Sequence, residues 1–82
     1  MKLNILTPEL NVFSGEVDSV QLNGTDGKFE ILNNHAPMIA ALATGKMRVN
    51  TGKENVIYNI KGGFVEVLNN NVSVLVEGVE KA

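Results

Sequence analysis

No cysteine occurs in this chain. Tryptophan is absent too, and there is a single histidine. Without thiols there can be no disulfide and no thiolate metal cluster, and one imidazole does not build a zinc site. A strong excess of positive or negative charge is also missing. Seven Lys and Arg stand against nine Asp and Glu, and the basic residues are scattered. That leaves no basic platform for nucleic acid. Nor is there a long apolar run. The longest stretch free of Asp, Glu, Lys and Arg, Ile31 to Gly45, is interrupted by Asn33, Asn34, His35 and Pro37. It falls short of the ~20 apolar residues of a spanning helix, so no membrane insertion is expected. Met1 to Thr7 carries one lysine and no apolar core of signal-peptide length. The expectation is a chain made and kept in the cytosol.

What the chain does have is β-type sequence cut at short intervals by Gly, Asn and Asp. Its 82 residues make one domain, residues 1–82. No helix of normal length is visible, and the pattern predicts an all-β sandwich or barrel. The strands read as Lys2–Thr7, Asn11–Phe13, Val17–Asn23, Lys28–Leu32, Met38–Leu42, Lys46–Asn50, Asn55–Ile60, Phe64–Leu68 and Val72–Glu77. Val17 is out of phase with Val20 and Leu22, which a bulge near Asp18-Ser19 would repair. Asn23 to Gly27 and Asn69-Asn70-Asn71 read as hairpin ends, because Asn, Asp and Gly tolerate positive φ.

Three strands do not alternate as a two-layer sandwich requires. Met38 to Leu42 has no polar residue, and Phe64 to Leu68 and Val72 to Val76 have one each. A strand with one buried face should alternate apolar and polar. Either a partner protein covers part of an outer face, or central strands lie under curled edges.

No catalytic constellation emerges. His35 lies in Asn33-Asn34-His35-Ala36-Pro37 with no carboxylate or nucleophile at a telling spacing. It reads as a loop histidine making hydrogen bonds or a surface contact. Asp26 with Glu30, and Glu16 with Asp18, read as solvated hairpin charges. Gly62-Gly63 precedes no helix and no Gly-Lys-Thr, so it is not a phosphate loop. Phe13, Phe29 and Phe64 are expected to fill the core. No cofactor is implied.

Three blocks then carry a resemblance. Val12-Phe13-Ser14-Gly15-Glu16-Val17, the run from Gly24-Thr25-Asp26-Gly27-Lys28-Phe29 through His35-Ala36-Pro37-Met38, and Gly62-Gly63-Phe64-Val65-Glu66-Val67 resemble F-type ATP synthase epsilon subunits in order and spacing. The resemblance implies a flattened sandwich of two roughly five-stranded sheets. It implies a non-catalytic rotor subunit that ties the gamma subunit to the polar loops of the c-ring, peripheral to the cytoplasmic face of a bacterial inner membrane. By position, Asp26, Lys28, Glu30 and His35 are expected at the ring, with Pro37 holding the loop. Thr7 and Ala40 match positions near gamma, and Met38 and Leu42 lie in phase with Ala40. Family members commonly continue into a two-helix C-terminal domain. This chain ends at Glu80-Lys81-Ala82, and the expectation is a naturally short form without that domain. The sequence departs from the family at Lys28, where an acidic residue is common, at Glu30, and at Asn33-Asn34. The rival readings are a lipoyl- or biotinyl-type carrier domain, with Lys28 or Lys46 at a hairpin tip, and a generic β adaptor.

Overall fold

The computed structural model describes residues 1–82, which form strands joined by turns and short irregular links. Eight strands follow one another: β1 (Lys2–Leu6), β2 (Asn11–Glu16), β3 (Ser19–Gly24), β4 (Gly27–Leu32), β5 (Met38–Leu42), β6 (Gly45–Asn50), β7 (Asn55–Leu68) and β8 (Asn71–Lys81). Their hydrogen bonding is continuous, but two long strands divide it into two layers. One five-stranded layer runs β2, β1, the first half of β8, the second half of β7, and β5. The other runs β4, β3, β6, the first half of β7, and the second half of β8. β1 lies parallel to β8; the other pairs are antiparallel. The flattened sandwich expected from the sequence is what forms.

Between the layers sit 17 buried residues, all apolar, Tyr58 among them. Leu3, Ile5, Val20, Leu22, Ile31, Met47, Val49, Val65, Val67, Val72 and Val74 are almost entirely sealed from solvent. Each comes from alternate positions of its strand, as a pleated sheet with one buried face demands.

The strand assignments need four corrections. Asn55–Ile60 and Phe64–Leu68 are not two strands but one, β7, which runs through Lys61-Gly62-Gly63. Inward residues are Tyr58 and Ile60 before the glycines and Val65 and Val67 after them, so the alternation slips by one. A slip in phase reads as a break. It recurs between Val76 and Val79 in β8, and between Leu42 and Met47 where β5 hands over to β6. β7 and β8 therefore cross from one layer to the other at one corner, beside the link that carries the chain from β5 to β6. Gly62 has no partner on β8 there, and its N–H donates instead to the Thr44 hydroxyl at 3.3 Å. Gly63 is forced: a Cβ on it would collide with the Leu75 carbonyl oxygen.

The other corrections are related. Val17–Asn23 is not one strand with a bulge. Val17 and Asp18 carry the chain between layers: Val17 N–H bonds Met1 O, Asp18 N–H bonds Asn50 O, and β3 starts at Ser19. Phase mismatch was real, but its cause is a change of sheet. β2 runs on to Glu16 because it keeps pairing with β1 as far as Lys2, and β8 runs on to Lys81 because it stays paired with β7 to Tyr58. The Asn69-Asn70 turn has φ of 51° and 61°, the primed geometry that matches strand twist.

Two measurements check this account. Gly63→Ala should cost about 1–3 kcal/mol in urea unfolding, since the backbone must move aside. Gly78→Ala, at the same corner but meeting only the Lys61 side chain at 3.5 Å, should stay within about 0.5 kcal/mol. Burial also pushes the Tyr58 hydroxyl above its ordinary value of 10.0. The unfolded chain loses that proton first, so stability is present below the unfolded value and falls as pH rises past it. Tyr58→Phe should therefore lose less stability than wild type between about pH 8 and about pH 11.

Candidate functional site

The two outer faces of the sandwich differ in chemistry. On the β3–β4–β6 layer, Lys28, Glu30, Lys46 and Arg48 point outward with Gln21 and Asn23 between them. The Arg48 guanidinium donates to the Gln21 side-chain oxygen at 2.6 Å. On the β1–β5–β7–β8 layer, the outward residues are mixed: Lys2, Asn4, Glu66, Asn71 and Ser73 are polar, and one row among them is apolar. Ladder pairing puts Ala41 opposite Phe64, Phe64 opposite Leu75, and Leu75 opposite Leu6, in one row across four strands. Ile39 is 71% exposed and Phe64 57%, with Leu68 and Leu75 near one half. Large apolar side chains in a contiguous exposed row mark a docking surface. The three strands that failed to alternate in the sequence are β5 and the halves of β7 and β8 that build this face.

The expected gamma contacts divide. Thr7 lies beside the row, lining a shallow groove with Leu6, Phe64 and Leu75. Its hydroxyl accepts the Leu10 N–H at 3.1 Å, which folds the β1–β2 loop back beside the face. Met38, Ala40 and Leu42 take the opposite phase. Leu42 is 4% exposed, and Met38 and Ala40 are half-buried and pack on the core. Ile39 and Ala41 are the β5 residues that face out. Because every residue from Met38 to Leu42 is apolar, the sequence held no clue to which phase is buried. Phe64 is a further correction, since it is exposed rather than core; its neighbour Val65 fills the inward place. Phe13 and Phe29 do pack against the core.

The expected ring contacts do not converge on one point. Asp26 sits in the exposed turn before β4, Lys28 and Glu30 on the outer side of β4, and His35 in the loop after it. They are strung along one edge strand whose six residues span about 17 Å. The His35 loop is firmly held. His35 N–H bonds Leu32 O at 3.2 Å and its ring Nδ1 lies 2.7 Å from Ala36 O. The Asn34 N–H donates to the Asn70 side chain at 2.8 Å, and the Met1 ammonium donates to the Asn33 side-chain oxygen at 2.6 Å. Asn34 takes the left-handed conformation, φ 63°. Pro37 belongs with the other surface: it lines a groove with Ile39, Glu66 and Leu68 on the apolar face.

No three His, Asp or Glu side chains stand close enough together to hold a metal ion. Lys46, a hairpin-tip candidate under the carrier reading, lies within β6 and pairs with Asn59 on β7 rather than at a tip.

Residues 1–82 match the family described as ATP synthase, Delta/Epsilon chain, beta-sandwich domain. The chain is 47% identical over 79 residues to an ATP synthase epsilon chain of Chlorobium limicola, covering 95% of this chain and 90% of that one. An ATP synthase epsilon chain of Leptospira interrogans is 38% identical over 77 residues, and this chain spans 61% of its length. The fold is also that of a chain in the Euglena gracilis mitochondrial ATP synthase (OSCP/F1/c-ring), with a TM-score of 0.91 at 22% identity over 96% of this chain and 51% of that one. A chain of the Tetrahymena thermophila mitochondrial ATP synthase central stalk and c-ring gives 0.86 at 17% identity, over 96% and 64%. Sequence blocks, sandwich and relatives agree: the chain belongs to the ATP synthase delta/epsilon family, and residues 1–82 form its β-sandwich domain.

Proposed function

We propose that this chain is a non-catalytic coupling piece of the rotor, joining the gamma subunit to the c-ring at the cytoplasmic face of a bacterial inner membrane. The observation that carries the reading is the exposed apolar row Ala41-Phe64-Leu75-Leu6 on a member of this family. A small, marginally stable domain gains by burying such a row against a partner. Gamma takes this face, with Thr7, Ile39 and Ala41 in the contact and Pro37 at its margin. Met38 and Ala40 support it from beneath, and Leu42 from the core. The c-ring loops meet the other group, Asp26, Lys28, Glu30 and His35, along the β4 edge. The tethered His35 loop gives that edge a fixed shape, which a torque-bearing contact requires.

The two contacts separate by mutation. Ala41 is exposed, so Ala41→Glu should leave the sandwich folded while weakening gamma binding by at least ~2 kcal/mol, about 30-fold, through a buried unpaired charge. Unchanged affinity in a titration would remove gamma from this face. Lys28→Glu should leave gamma affinity as it is and lower proton-driven ATP synthesis in reconstituted vesicles.

A further inference from the structure

The apolar face is not uniformly apolar. It holds two shallow grooves, and each contains one charged group. In the first, Leu6, Phe64 and Leu75 surround a trough with Glu77 on its wall. In the second, Pro37, Ile39 and Leu68 do the same with Glu66. Both carboxylates are exposed, and neither has an ion-pair partner within the chain, whose one ion pair joins the Met1 ammonium to Glu16 at 3.6 Å. A flat apolar partner would bury both carboxylates unpaired, at a cost that offsets the apolar gain. A second copy of this chain fits no better. A two-fold pairing of the face sets carboxylate-bearing grooves against each other.

From the gamma reading above, on which this step rests, we infer that the partner fills each groove with an Arg or Lys side chain. The aliphatic stem lies on Phe64 and Leu75 in one groove and on Ile39 and Leu68 in the other. The cationic head meets Glu77 or Glu66. Arg and Lys are the side chains that bury an apolar stem while presenting a charge at its end. The match sets specificity as well as affinity: it admits a basic partner and turns away a second copy.

The test titrates the 82-residue chain with the gamma subunit of the same organism at low and high salt. Glu66→Gln and Glu77→Gln keep the shape of each groove and remove its charge. Each should weaken binding ~10-fold at low salt, and the double variant should lose most of the salt dependence. Phe64→Ala should weaken binding while leaving the salt dependence in place. If the glutamine variants bind as tightly as wild type, or more tightly, the paired cations are absent and the inference falls while the gamma reading stands. A folded wild-type chain that does not bind gamma at all removes both. Sedimentation of the chain alone gives a second reading: wild type should be a monomer, and a dimer abolished by Phe64→Ala would assign the face to a second copy instead.

Discussion

At one corner of the sandwich, the paired strands β7 and β8 change layer together, and the alternation of their side chains slips by one residue as they do so. Everything outside the core follows from that corner. It decides that Val65 and Val67 point inward, and therefore that Phe64, Glu66 and Leu68 point out. It puts Leu75 outward beside them through the β7–β8 register. The corner needs Gly63, because the Leu75 carbonyl occupies the space of a Cβ. Beside it the Gly62 N–H has no partner on β8 and donates to the Thr44 hydroxyl. A glycine pair that first reads as a strand boundary is the device that lets two long strands serve both layers.

The core that results is purely apolar. It holds no buried polar or charged side chain. Chemistry is displaced to the surface, and there it is segregated. One face carries amides, cations and Glu30, the other an apolar row with two carboxylates and Lys2. A body with two unlike faces and a rigid middle suits a part that holds two neighbours in fixed relation. The two layers share a hydrogen-bonded ladder through the continuous β7 and β8.

Much of this was legible in the sequence. The hairpin turn at Asn69-Asn70, the inward sets Phe29 and Ile31, Met47 and Val49, and Val72, Val74 and Val76, and the exposed apolar residues on three strands all follow from residue pattern. What failed was phase. In Met38 to Leu42 every side chain is apolar, so period-two reasoning has nothing to hold, and the outward pair proves to be Ile39 and Ala41. At Val17 and at Gly62-Gly63 the phase changes because the chain changes sheet, and a local pattern cannot tell a crossing from a bulge or a break. The carboxylates Glu66 and Glu77 stood inside apolar strands in plain view, but their placing in two separate grooves depends on strands far apart in the chain.

Because the chain has no cysteine, its faces can be mapped one introduced thiol at a time. The most direct test of the central claim compares alkylation rates of Leu75→Cys and Gln21→Cys, with and without gamma. The account predicts that gamma slows labelling at position 75 and leaves position 21 unchanged. Protection at position 21 with free labelling at position 75 would contradict it, and would hand the docking role to the polar face.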